Sequence, residues 1–378
     1  MKRARSEGKA NRAFKFRLYP NTEQEALLAK TFGCVRFVFN RMLKQRIEHY
    51  EQTRETLQNT PAQLKGEFPW LKEVDSLALV GAQNNLDVAF RNFFRGLKDG
   101  RSIGFPRFKR KTGQNSYTTC CVNGNIRLIG NRLKLPKLEG IRVRVHREVP
   151  SHYTLKSVTV SRTASGQYFA AILYEFTEVS QEPVVPQEFL GLDCSMAELY
   201  VDSNNYRPKY ARLFRKNEAR LAREQRKLSR MVKGSSNYYR QKRRVASIHE
   251  QIARQRKDFL HQESRRITNS SDAVAVEDLN LQALAQTLNL GKSVADLGFG
   301  MLRGFLSYKL KEQGKHLVVI DRWFPSTKQC SRCGSVKEEI ILSERLYRCD
   351  HCGLELDRDH NAAINICDKG RSTFLQAG

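Results

Sequence analysis

The 378-residue chain carries 66 Lys+Arg against 39 Asp+Glu, a formal net charge of +27, with 40% hydrophobic and 28% charged residues. That is enough apolar material for two or three packed domains, so the charge is not that of a disordered tail, and its natural partner is a large polyanion. No run reaches the ~18 apolar residues of a membrane helix, and the basic start MKRARSEGKANRAF lacks an apolar signal core, so a cytoplasmic location with reduced cysteines is expected and the membrane and secreted disulfide classes are disfavoured.

A basic zone opens the chain, with Lys2, Arg3, Arg5, Lys9, Arg12, Lys15 and Arg17. Within it, residues 14–19 (FKFRLY) alternate apolar and polar and stop at Pro20, which predicts a strand. Residues 22–58 have helical character interrupted at Gly33 and Cys34. Residues 77–97 form a second helical zone whose apolar side is Leu77, Val80, Leu86, Phe90, Phe93 and Phe94. In 105–111 (FPRFKRK), Phe105 and Phe108 alternate with Arg107, Lys109, Arg110 and Lys111; the cations suit backbone phosphates, and the rings suit core packing. From about 116 to 177 the pattern changes to strands, clearest in 141–149 (IRVRVHREV), 155–160 and 168–176. The first half therefore reads as a β-module whose first strand is separated from the rest by a helical insertion.

Residues 178–188 (EVSQEPVVPQE), acidic with two prolines, suggest a linker. After it come FLGLD (189–193) and AELYV (197–201), then AVAVE (273–277) and LVVI (317–320), four apolar strands that suggest an α/β domain with a mixed sheet. Between them, 207–270 holds twenty Lys/Arg and five Asp/Glu, more than half of the excess charge. Apolar residues there recur at helical spacing, Phe214, Leu221 and Leu228, then Val245, Ile248, Ile252 and Phe259. The reading is two helices joined by KGSSN, with an arginine-rich surface suited to phosphates and Arg220, Arg223, Arg226, Arg240, Arg243 and Arg244 as its candidate contacts.

Cys330-Ser-Arg-Cys333-Gly and Cys349-Asp-His-Cys352-Gly are separated by fifteen residues, the spacing of a four-cysteine zinc site. Four thiolates close the coordination shell, so this zinc is structural and His351 is not needed as a ligand. Three acids stand at the ends of apolar strands or before a helix: Asp193 closes FLGLD, Glu277 closes AVAVE, and Asp359 lies in LDRDHNAAINI. A carboxylate in a buried strand is costly unless paired or metal-bound. Converging carboxylates offer hard oxygens to Mg²⁺, and two such ions can drive phosphodiester hydrolysis. Asp278, Asp321 and Asp357 read as structural neighbours.

GLDCS, VAVEDLNL, FPSTKQCSRCG, YRCDHCG and LDRDHNAAINI, in this order, resemble the TnpB (OrfB-type) family of transposon-encoded proteins, which look like compact relatives of the type V CRISPR effector nucleases. The resemblance spans about 188–367 and is weaker over the first 180 residues. It implies an α+β multidomain protein: a wedge-like β-barrel (1–20 and 115–180), a helical recognition domain (21–114), a RuvC-like nuclease domain of RNase H fold (188–325 and 354–368), a zinc-ribbon insertion (326–353) and a short tail (369–378). It also implies Asp193, Glu277 and Asp359 as the Mg²⁺-holding catalytic acids, and Cys330, Cys333, Cys349 and Cys352 as the zinc ligands. The partners it implies are a guide RNA from the transposon end and double-stranded DNA beside a short adjacent motif; a monomer is expected, and no membrane. One departure from the family pattern is CSMAELYVDS after Asp193, where Ser195 and Met196 stand in place of a tighter turn. The competing readings are a cleavage-deficient guided repressor, a DNA transposase, and a zinc-ribbon RNA-binding protein.

Overall fold

The computed structural model describes residues 8–111, 115–177, 182–280, 283, 286, 296–340 and 344–377. Lys2, Arg3 and Arg5 of the first basic zone, and 178–181 of the expected linker, lie outside these. The chain divides into two units, Met1–Val179 and Ser180–Gly378.

In the first unit the alternation of FKFRLY buries Phe14, Phe16 and Leu18 and turns Lys15 outward. The strand this makes, β1 (Lys9–Tyr19), lies in the middle of a seven-stranded antiparallel sheet. Its companions are β2 (Asn115–Cys120), β3 (Arg127–Ile129), β4 (Arg132–Leu135), β5 (Leu138–Arg144), β6 (Thr154–Arg162) and β7 (Tyr168–Thr177), in the order β2-β6-β7-β1-β5-β4-β3. Among the described residues the end strands β2 and β3 are not paired with each other. The strand expected over 141–149 stops at Arg144, where pairing with β1 runs out at Arg17↔Arg144.

Between β1 and β2 come α1 (Thr22–Thr53), α2 (Pro61–Glu67) and α3 (Ser76–Lys98). Asn21 and Gln24 start α1 with a reciprocal capping box. Gly33 and Cys34 do not interrupt it: Cys34, Val35 and Val38 are all buried in one stripe, and that packing outweighs the cost of one glycine.

The second unit is built on a four-stranded mixed sheet in the order β11-β10-β8-β9: β8 (Phe189–Asp193), β9 (Val201–Asp202), β10 (Ala273–Glu277) and β11 (His316–Ile320). β8, β10 and β11 are parallel and β9 is antiparallel to β8. Parallel strands covered on both faces need continuous apolar runs, which FLGLD and AVAVE supply. AELYV is not a strand along its length. Ser195 and Leu199 exchange backbone hydrogen bonds in a tight turn, Leu199 takes φ 80°, and only Val201 and Asp202 pair.

The basic segment forms α4 (Leu213–Ser229) and α5 (Ser236–Ser270), packed through Leu221, Val245, Ile248 and Ile252. α6 (Phe299–Glu312) precedes β11, and α7 (Arg358–Ala377) closes the chain. Between β11 and α7 lie the two cysteine knuckles and a small hairpin, β12 (Leu346–Arg348) with β13 (Glu355–Asp357).

Three expected boundaries are corrected. The described part of the linker belongs to the second unit: Val184 N–H donates to Gly314 O at 2.9 Å, and the amides of Gln187 and Glu188 reach Asp272. The ribbon does not end at 353, because Leu346 pairs with Asp357. The tail is not a tail, because α7 runs through it, setting Gly370 on Ala275 and Phe374 against Phe189 and His316.

Candidate metal centres

The sheet and α7 decide where the three acids stand. Asp193 ends β8 and Glu277 ends β10, adjacent parallel strands, so both reach the same edge of the sheet. Asp359 lies in the first turn of α7. This helix can approach because two residues in the contact lack a side chain. A Cβ on Gly191 would stand 2.2 Å from Ala363 O, and one on Gly370 would stand 2.3 Å from the Ala275 Cβ. The glycines thus bring α7 down on β8 and β10, the strands that carry the other two acids.

The result is an accumulation of negative charge. Asp193 is 8% exposed. Burial first, then the charges of Glu277 and Asp359, hold its carboxyl well above the usual carboxylate range. Burial also raises Glu277, partly offset by a hydrogen bond from Ser326 Oγ at 2.6 Å. Asp359 accepts from Ser195 Oγ at 3.5 Å and pairs with Arg345 and Arg358, each at 3.4 Å. Ser195, in the segment that departs from the family pattern, thus links the end of β8 to the third acid. The neighbouring acids are otherwise engaged: Asp278 pairs with Arg303 and Arg322, Asp357 with Arg207, and Asp321 accepts from Trp323 N–H.

Cys330, Cys333, Cys349 and Cys352 meet, with ligand atoms all within 4.8 Å of one another, the one such cluster of three or more potential ligands among the described residues. The Sγ atoms of Cys330 and Cys352, and of Cys333 and Cys349, are each 3.6 Å apart. A tetrahedron with Zn–S bonds of about 2.3 Å has edges of about 3.8 Å, so the four sulfurs fit zinc. The two knuckles repeat one backbone pattern. Gly334 and Gly353 take φ 75° and 69°, and their amides bond back to Cys330 O and Cys349 O. Ser335 Oγ lies 3.2 Å from Cys333 Sγ and 3.3 Å from Cys349 Sγ, and these contacts lower the two thiols to about 5 and about 7. The three carboxylates are not drawn together this tightly.

Three residues that sequence reasoning passed over join the two centres. Asn361 is fully buried on α7; its Oδ1 accepts from Ser331 N–H at 3.0 Å and its Nδ2 donates to Gln329 O at 2.7 Å. Asn365, one turn on, donates to Ser326 O at 2.8 Å and Gln329 O at 2.7 Å. Ser326 in turn holds Glu277. The approach to the first knuckle is thus fastened to the helix that carries Asp359 and to the acid that ends β10. The signal was present as NAAIN, two amides at i, i+4 on an otherwise apolar face.

The candidate phosphate ligands separate into two groups. Arg220, Arg226, Arg240 and Arg243 are exposed on α4 and α5. Arg223 and Arg244, also exposed, reach inward to Glu224, which is buried between the helices beside Gln241. In the first unit Arg107, Arg110 and Lys111 are exposed. Lys109 is turned onto the Phe39 ring at 4.1 Å, and Asn40 clamps its backbone N–H and C=O. Phe105 packs edge-on to Phe90 and Phe93 but, like Phe108, is exposed and outside the core.

Among the described residues no helix is long and apolar enough to cross a membrane. Residues 171–288 match a family model described as "Probable transposase" (OrfB, IS605), and 299–366 match the Cas12f1-like TNB domain. Residues 10–55 match a model described as a helix-turn-helix domain, although here they form β1 and one uninterrupted helix. A "Putative RNA-guided DNA endonuclease" of Streptomyces pristinaespiralis is 37% identical over 370 residues, 95% of this chain and 89% of that protein. "Putative RNA-guided DNA endonuclease InsQ" of Escherichia coli K12 is 32% identical over 96% of this chain and 93% of its own length. In fold, the chain is similar to the protein in a cryo-EM structure of a Cas12f1–sgRNA–target DNA complex, with TM-score 0.52 and 13% identity over 95% of this chain and 99% of that one. With likeness of this extent along nearly its whole length, the chain belongs to the TnpB (OrfB, IS605) family.

Proposed function

We propose that the protein is an RNA-guided DNA endonuclease of a transposable element. It cuts double-stranded DNA beside a short adjacent motif by hydrolysing phosphodiester bonds. The observation that carries this reading is the gathering of Asp193 and Glu277 at one sheet edge with Asp359 of α7 beside them, where burial and then the charge of the other two acids raise Asp193. The names of the two long relatives support it. A guided binder that does not cut has no need of such a costly cluster.

Asp193, Glu277 and Asp359 would hold Mg²⁺. The fit rests on their hard oxygens and on the negative charge around buried Asp193, which Arg358 only partly offsets. Bound there, magnesium supplies Lewis-acid stabilisation of the attacking and leaving oxygens. The chain's own residues set the geometry. Ser326 fixes the Glu277 carboxylate, Ser195 and Arg358 fix Asp359, and exposed Arg345 stands where it can meet a substrate phosphate. Zinc at the four cysteines would be structural.

In this reading the second unit is a RuvC-like domain, with the zinc ribbon inserted between β11 and α7. The first unit supplies a wedge-like element from its strands and a recognition element from α1–α3. Guide RNA, transcribed from the transposon end, lies against the exposed arginines of α4 and α5. Base pairing reads the target while the protein reads the adjacent motif and the backbone.

The test is to purify the protein from cells that also express the flanking transposon end, and to sequence the RNA that accompanies it. The complex is then given Mg²⁺ and a plasmid library with a matching target and randomised flanks. Guide-dependent cutting at one flanking motif is expected. Bound RNA with motif-selective DNA binding but no cutting would replace the nuclease with a guided repressor, and no discrete RNA would end the guided reading.

A further inference from the structure

The loop between β11 and the first knuckle, residues 321–326 (DRWFPS), holds two adjacent aromatic rings that point in opposite directions. Phe324 turns inward, against the cluster of Ala275, Ile320 and Ile366, with Lys369 over its ring. Trp323 turns outward and is 84% exposed, more than any other large apolar side chain among the described residues. A solvent-facing indole is ordinarily laid down on a neighbouring surface, since its area is the largest a side chain can withdraw from water.

This indole is held out by a rigid support. Asp321 Oδ1 accepts from the Trp323 amide at 2.7 Å, and Asp321 O accepts from the Phe324 amide at 3.2 Å. Arg322 is tied to Asp278 at 2.7 Å. Ser326 is tied to Glu277 at 2.6 Å and to Asn365 at 2.8 Å. The loop also begins and ends at the acid centre: Ile320 is the β-pairing partner of Glu277, and Ser326 is its hydrogen-bond donor. Trp323 therefore projects from a short loop anchored to one of the three carboxylates at both of its ends.

We propose that Trp323 is a stacking platform for an unpaired nucleobase of the DNA strand presented to Asp193, Glu277 and Asp359. This rests on the nuclease reading given above. A base has two apolar faces and needs no particular hydrogen-bond partner to stack, so an exposed indole grips single-stranded DNA whatever its sequence. Because the loop backbone is already fixed, little backbone order is lost on contact. The stacked base would set the distance from the platform to the phosphate at the acids, and duplex DNA, whose bases are already stacked on one another, would not engage it.

The test has two arms. In the first, the guide-loaded Asp193→Ala protein, which is expected to bind without cutting, receives targets carrying 2-aminopurine at successive positions near the cut. Quenching at one or two positions is expected with Trp323 present and not in the Asp193→Ala/Trp323→Ala double variant. The same pair of proteins is also titrated with a free single-stranded 2-aminopurine oligonucleotide. In the second arm, Trp323→Ala in the cutting protein should lower single-turnover cleavage about ten-fold, while Trp323→Tyr retains most of the rate. Zinc content, melting temperature and RNA binding should not change, since the side chain lies outside the core. Wild-type cutting by Trp323→Ala together with unchanged quenching would overturn the proposal. So would quenching that depends on Trp323 equally in intact duplex. If the unmodified complex cuts nothing, the nuclease reading fails on its own, and the free-oligonucleotide titration decides the stacking.

Discussion

The second unit contains two ligand clusters that assemble in opposite ways. The four thiols are gathered by short-range structure: each pair comes from one knuckle closed by a glycine amide, the hairpin β12–β13 encloses the second knuckle, and Tyr347 Oη on Lys328 O and Ser335 Oγ beside Cys349 Sγ join it to the first. The three carboxylates are gathered by long-range structure, from β8, β10 and α7, with 166 positions separating Asp193 from Asp359. The thiols lie within 4.8 Å of one another, with Cys333 and Cys349 held below the ordinary thiol range by Ser335 and Cys352 pushed above it by burial and the other three. The carboxylates repel, and the most buried of them is held well above the ordinary carboxylate range. The comparison teaches that one cluster is a support for the fold and the other is a burden that the fold bears. Asn361, Asn365 and Ser326 run between them, so the support also positions the burden.

If that division holds, substitutions in the two clusters must have opposite signatures. Asp193→Ala, Glu277→Ala and Asp359→Ala should each reduce guided cleavage by about 10³-fold or more while leaving RNA binding intact. Single-turnover cleavage and filter binding measure the two, and an Asp359→Ala protein that still cuts would remove that acid from the centre. Cys330→Ser should do the reverse in kind. Zinc content should fall below one per chain and stability should drop by roughly 3 kcal/mol or more, read by metal analysis and denaturant unfolding; full zinc occupancy would refute the four-cysteine site. Gly370→Ala pushes a methyl group into Ala275 and should cost about 1–3 kcal/mol. Because α7 carries Asp359, it should also slow cleavage, which separates it from a substitution that harms packing alone.

The smallest expected effect has the most informative sign. In metal-free protein, Asp193→Asn should raise stability by about 1–2 kcal/mol near neutral pH, because a buried carboxylate costs more than a neutral amide. The Asp193 carboxyl has its folded-state pKa raised above the unfolded value of about 3.9. Its protonated form is therefore the one that suits the fold. Its contribution is fully present below about pH 4 and is lost as pH rises towards the folded-state value, where the folded protein holds the extra proton. The advantage of Asp193→Asn should accordingly vanish on acidification. Denaturant melts with chelator at several pH values measure it, and a destabilised Asp193→Asn protein would contradict the account.

What could be read from the sequence follows the same division. CxxC pairs are local, so spacing alone was enough to name the four thiols. The acids were visible as polar ends of apolar strands, yet their convergence depends on two glycines at a helix–sheet contact, and no periodicity reports that. The expected tail at 369–378 carries no motif to read, whereas in the fold Gly370 is where the helix comes closest to Ala275. AELYV was misjudged because Leu, Tyr and Val suggest a strand, whereas Leu199 is needed at positive φ in a turn that brings Ser195 to Asp359. Lys109 looked like its basic neighbours, and only the fold shows that Phe39 and Asn40 engage it.

The most direct test of the two-cluster account is anomalous diffraction from crystals of the protein with its RNA, grown with Mn²⁺ in place of Mg²⁺ and measured at the zinc and manganese edges. The account predicts zinc among Cys330, Cys333, Cys349 and Cys352 only, and manganese against Asp193, Glu277 and Asp359 only. Zinc missing from the cysteines, or a complex that cuts DNA with no manganese at the three acids, would contradict it.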